Sequence, residues 1–172
     1  HNSPAVIVRG KNKLSISDCV ITANNQLPVT NSNVSAGILI YDIQKSSGTA
    51  ELSINGGRFN NSEGHFIHVS NIDAKIILED IDVYNTDDDN IFLSVSNDGW
   101  NGYDNIASVE IRNMSISGHI ISDNTPSTES DGKSALNLSL SSSTKFTGAI
   151  NANVNEANRG EVNLMVSPGS KF

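Results

Sequence analysis

Apolar residues recur along the chain at positions 1, 3, 6 and 8 of a short window. Four stretches carry this motif: Leu14, Ile16, Cys19 and Ile21; Leu52, Ile54, Gly57 and Phe59; Ile76, Leu78, Ile81 and Val83; and Val109, Ile111, Met114 and Ile116. The first two positions alternate as the inner face of a half-buried strand does, the three-residue step marks a bend, and alternation then resumes. The motif is therefore a strand, a corner and a second strand. Two further copies have a longer bend: Leu138, Leu140 and Phe146, then Leu164, Val166 and Phe172, with corresponding positions 26 apart.

The six anchors, Leu14, Leu52, Ile76, Val109, Leu138 and Leu164, are separated by 38, 24, 33, 29 and 26 residues. A fixed motif at unequal spacing places the insertions in the corners. Another apolar stretch precedes most anchors: Val6-Ile7-Val8, Ile38-Leu39-Ile40, Phe66-Ile67 and Ile91-Phe92-Leu93, with the weaker pairs Ile120-Ile121 and Ala149-Ile150 later on. Three short strands per repeat predict an all-β chain, a right-handed parallel β-helix of about six coils. One turn cannot bury its apolar side alone, so stacked turns share one apolar column. The chain reads as a single domain over residues 1–172, cut at both ends from a longer solenoid. The competing architecture is an antiparallel sandwich, which also has many short strands between Gly, Asn and Asp turns but no reason to repeat one strand-bend-strand motif.

Composition agrees with a solenoid. There are 25 Ser and 23 Asn, residues whose short polar groups serve turns better than helix interiors. The net charge of −8, with 11 scattered basic residues, argues against nucleic acid. An anionic polymer would need a bridging cation. No apolar run approaches the roughly 18 residues of a membrane span. The single cysteine, Cys19, rules out an internal disulfide and occupies an apolar motif position, which predicts a buried thiol.

Residues 10–21, the pair Gly56-Gly57 ahead of Phe59, the loop around Trp100 and residues 136–148 together resemble bacterial secreted or cell-surface β-helix proteins, adhesin-like and built on the pectate-lyase-like solenoid. The resemblance covers nearly the whole chain and is one of architecture. It implies an extracellular or cell-surface protein, commonly without enzyme activity, and brings no catalytic residue with it.

Three stretches invite a chemical reading. The run Asn85-Thr86-Asp87-Asp88-Asp89-Asn90 opens like the Asn-Thr-Asp motif of polygalacturonases, which are also β-helices. Glycoside hydrolysis needs a second carboxyl group held across the sugar bond, and neither that partner nor a Gly-His-Gly or Arg-Ile-Lys motif is found. Asp87, Asp88 and Asp89 also suit calcium, a hard cation taking several oxygens, but a solvated acidic corner explains them more simply without an ion. No cofactor is required.

The insertion at residues 97–105 holds Trp100 beside Tyr103, Asp98 and Asp104. An aromatic ring can cover the apolar face of a sugar while neighbouring polar groups take its hydroxyls, so these four residues are the candidate glycan ligands; a Trp that lids the core is the alternative. His65 and His68, three apart, are expected on opposite faces of a strand and take no shared metal. The sequence thus points to a non-catalytic surface module that binds a polysaccharide or a host or cell-surface glycan. A polysaccharide-active enzyme using Asp87, Asp88 or Asp89, and a structural subunit associating end to end with other β-helix chains, are the alternatives.

Overall fold

The computed structural model describes residues 4–23, 35–43, 48–84, 90–96, 104–124 and 132–172. Its strands come in successive units of three. The first unit holds β1 (Val6–Arg9), β2 (Lys13–Ser17) and β3 (Val20–Ala23), and the second β4 (Ala36–Tyr41), β5 (Thr49–Asn55) and β6 (Arg58–Asn61). The third holds β7 (His65–Ser70), β8 (Asp73–Glu79) and β9 (Asp82–Tyr84), and the fourth β10 (Ile91–Ser96), β11 (Asn105–Arg112) and β12 (Ser115–Ser117). The fifth holds β13 (His119–Asp123), β14 (Ser134–Ser141) and β15 (Lys145–Thr147), and β16 (Glu161–Val166) begins the last.

Strands at the same place in successive units lie side by side. The first strands form the sheet β1-β4-β7-β10-β13, and the second strands form the longest sheet, β2-β5-β8-β11-β14-β16. The third strands form two pieces, β3-β6-β9 and β12-β15. Every pairing between these strands is parallel. This excludes the antiparallel sandwich, and the connection that a parallel pair needs is supplied here by strands of the other sheets. Residues around Ile150 add only an isolated bridge to Ile120, and Lys171 a bridge to Lys145, so the last unit is sparser than the motif suggests.

The three-residue step of the motif is a left-handed corner. Asp18, Gly56, Asp80 and Asn113 occupy the same motif position and have φ of 52°, 71°, 55° and 48°. Glycine, Asp and Asn are the residues that tolerate this region, the last two because their short side chains bond locally. Each corner amide donates to the carbonyl of the next unit: Asp18 to Asn55, Gly56 to Glu79, Asp80 to Arg112 and Asn113 to Ser141. The Asn113 side-chain amide also donates to Asp80. In the fifth unit Ser142 and Ser143 both take positive φ, which accommodates the one extra residue of the longer bend and brings Thr144 inward, fully buried.

Motif positions 1 and 3 build the core. Leu52, Ile54, Ile76, Leu78, Val109, Ile111, Leu138 and Leu140 all lose contact with solvent. They pack with Phe59, Phe66, Phe92 and Phe146 in one continuous cluster. Burying a side chain of this kind is worth about 1.5–3 kcal/mol. The terminal units are the exception. Cys19 is exposed, contrary to the buried thiol expected from its motif position: its neighbour in the column, Gly57, offers no side chain to cover it. No helix among the described residues is long and apolar enough to cross a membrane.

Candidate functional site

The outer face of the six-stranded sheet carries an extended set of polar side chains. Alternation that sends the anchors inward sends their neighbours outward, and parallel register then aligns those neighbours in straight columns. One column runs Lys13, Glu51, Lys75, Ser108, Asn137, Asn163; the next runs Ser15, Ser53, Ile77, Glu110, Ser139, Met165. A third follows Ser17, Asn55, Glu79, Arg112 and Ser141.

Between the first two columns lies a shallow groove of about 350 Å³ that crosses β8, β11, β14 and β16. Its polar lining is Lys75, Ser108, Glu110, Asn137, Ser139 and Asn163, and outward-facing Ile77 and Met165 are apolar. Asn163 donates from its side-chain amide to the Asn137 side-chain oxygen at 3.1 Å, which orients both amides along the column.

The charges on this face are largely matched. Lys13 pairs with Glu51 at 2.6 Å, and Arg112 pairs with Glu110 at 2.6 Å and with Glu79 at 3.6 Å. The hydrogen bond from Lys13 holds the Glu51 carboxyl below its ordinary value, and the bond from Arg112 does the same for Glu110, aided by the Ser141 hydroxyl at 3.2 Å. The same pairing raises Arg112. A general acid for sugar cleavage needs a carboxyl held protonated, and both of these are held ionised.

Of the residues singled out from the sequence, Asp104 is described and Asp98, Trp100 and Tyr103 lie outside the described residues, as do Asp87, Asp88 and Asp89. The Asp104 carboxylate accepts the Lys133 amide at 2.6 Å, which ties the entry of β11 to that of β14. Among the described residues, no three His, Cys, Asp or Glu side chains converge as a metal site would require.

The structure also joins two residues that the sequence placed apart. His65 and His68 each approach the Ser94 hydroxyl through Nδ1 at 2.6 Å, with ring centroids 5.6 Å apart. Strict alternation would separate positions three apart, but Phe66 and Ile67 between them both enter the core, so the two imidazoles emerge on one side. Ser94 stands directly opposite His68 in the parallel register. All three side chains are buried, which makes the cluster a structural clasp between β7 and β10.

The groove residues do not stand out in the sequence as the lone Trp100 does, because their meeting depends on register between strands. The signal existed: each is the residue immediately before or after an anchor, at Ile76, Val109, Leu138 or Leu164. Comparison with protein-family models, with curated proteins and with solved structures finds no match for this chain.

Proposed function

We propose that this chain is a right-handed parallel β-helix module of an extracellular or cell-surface protein, adhesin-like and non-catalytic, which holds an uncharged glycan on the outer face of its six-stranded sheet. The three-strand period and uniformly parallel pairing support the helix. The right hand follows from the handedness of parallel crossover connections, about 98% of which are right-handed.

The observation that carries the binding role is the groove over β8, β11, β14 and β16. Its amides and hydroxyls suit sugar hydroxyls, and Ile77 with Met165 suits the apolar face of a pyranose. Matched charges on the face, together with a net charge of −8, favour an uncharged polymer over an anionic one. The insertion with Asp98, Trp100, Tyr103 and Asp104 leads into β11 and belongs to the same proposal, as an aromatic contact to the sugar.

Native gel electrophoresis through soluble β-glucan, xylan and galactomannan tests this directly. Retardation by at least one polymer is expected, weakened in Asn137→Ala and Asn163→Ala proteins and in Trp100→Ala. Unchanged mobility in all three polymers contradicts the binding role. So does retardation that survives both Asn substitutions, which would place the site elsewhere.

A further inference from the structure

We infer that Asn55 is a modification site gated by folding: the folded chain keeps it as asparagine, whereas the unfolded chain converts it to aspartate and isoaspartate, and the isoaspartate form no longer refolds. Asn55-Gly56 is one of two Asn-Gly pairs in the sequence, the other being Asn101-Gly102. In such a pair the glycine backbone nitrogen attacks the side-chain carbonyl carbon of the asparagine. A new C–N bond forms, the C–N bond to the side-chain amino group breaks, and the proton of the attacking amide departs with that group as ammonia. One water then opens the five-membered imide at either carbonyl, giving aspartate or isoaspartate. Glycine obstructs the attack least, having no side chain.

Asn55 is exposed, so water reaches it, and its protection comes from hydrogen bonding instead of burial. The attacking group is engaged: the Gly56 N–H donates to the Glu79 carbonyl at 2.9 Å. The group under attack is held as well. Asn55 closes β5 between its register partners Ser17 and Glu79, and its side-chain amide donates to the Glu79 carboxylate at 3.4 Å. The nitrogen must leave Glu79 and swing onto the side-chain carbon, so the reaction proceeds only through opening of this corner.

Isoaspartate lengthens the main chain by one carbon, and the corner has no room for it. A carbon added at Gly56 would collide with the Asp18 carboxylate, and one added at Gly57 with the Cys19 carbonyl. The bonds that follow depend on this spacing: the Arg58 N–H donates to the Cys19 carbonyl at 2.9 Å, and the Gly57 carbonyl accepts the Asp82 N–H at 3.0 Å. With one carbon inserted ahead of them, β6 falls out of step with β3 and β9 while β5 pairs with β2 and β8, and backbone groups lose their partners. Aspartate leaves the main chain unchanged, so the block belongs to isoaspartate alone. Each excursion to the unfolded state therefore removes some chains permanently.

Ageing the full chain in mildly alkaline buffer, with and without unfolding concentrations of urea, tests this by peptide mapping. The tryptic peptide of residues 46–58 holds Asn55 as its sole asparagine, and that of residues 76–112 contains Asn101 as an internal reference. In urea both Asn-Gly pairs are expected to convert at similar rates, and in buffer Asn55 conversion is expected to slow at least about tenfold. Size exclusion after dilution from urea then separates refolded chains, from which isoaspartate at position 55 is expected to be depleted. Asn55→Gln, whose longer side chain closes the imide far more slowly, is expected to refold after the same ageing more completely than the parent. Equal conversion in buffer and urea, with β circular dichroism intact in buffer, overturns the gating. Recovery of isoaspartate at position 55 among refolded chains in its starting proportion overturns the refolding block, and both comparisons use the parent chain alone.

Discussion

The α-carbon of Gly57 lies against the backbone carbonyl of Cys19 in the unit before it, so closely that an added Cβ would collide with that oxygen. Gly57 also has φ of 84°. It occupies a motif position that elsewhere holds Ile81 or Met114, and the close approach explains why the second unit departs from the pattern. Backbone, unlike a flexible side chain, cannot move aside cheaply.

Gly57→Ala is therefore expected to cost roughly 2–5 kcal/mol, combining left-handed strain with overpacking. Gly10→Ala is the matched comparison. Its φ is 63°, but the nearest atom to an added Cβ is an Asp42 carboxylate oxygen at 3.6 Å, so the cost is about 1–2 kcal/mol from strain alone. Urea denaturation of both variants measures the difference, and equal losses would contradict a tight corner at Gly57.

Ser94 serves two imidazoles at once. Removing its hydroxyl takes a partner from both His65 and His68 inside a buried cluster, and an unsatisfied buried polar group costs about 1–3 kcal/mol. Ser94→Ala is expected to lower stability by about 1–3 kcal/mol, whereas Ser53→Ala, on the outer face of β5, should change little. Thermal melts of the two variants side by side check the claim.

Glu110 gives the outer face a pH signature. Its folded pKa is depressed, chiefly by the hydrogen bond from Arg112, so its contribution is fully present above the ordinary carboxylate value and is lost as pH falls through the lowered folded value. Glu110→Gln should thus be less stable than the parent at pH 7, by under about 1 kcal/mol for a solvent-accessible pair. The gap should close as pH drops below about 4. Denaturation curves at several pH values measure it, and a gap that widens in acid would show that the pairing has been misassigned.

Much of this architecture was legible because one motif fixes three things together. Alternation at Leu52 and Ile54 gives the inward face, the step to Gly57 gives the corner, and repetition gives the parallel partner. The corner residues Asp18, Gly56, Asp80 and Asn113 share the chemistry that tolerates positive φ, so even the turn conformation was encoded locally. The outward columns were also implicit, since Lys75 and Ser108 each precede an anchor, but their meeting in a groove depends on register across units. The meeting of His65 with His68 was not legible. It requires Phe66 and Ile67 to break alternation together, and nothing in a four-residue stretch of apolar and aromatic side chains dictates that break. The exposure of Cys19 likewise depends on the residue beside it in the next unit, Gly57, which has no side chain to cover it.

The stacked parallel register is tested most directly by disulfide trapping on the outer face. Ser108 and Asn137 are register partners on β11 and β14, and adjacent strands lie about 4.8 Å apart, within the Cα span of a disulfide. With Cys19→Ser removing the native thiol, the pair Ser108→Cys and Asn137→Cys is predicted to cross-link readily under mild oxidation. Ser108→Cys with Ser141→Cys, four positions out of register, should stay reduced. Efficient cross-linking of the second pair, or none of the first, would contradict the parallel stack on which the proposed glycan-binding face depends.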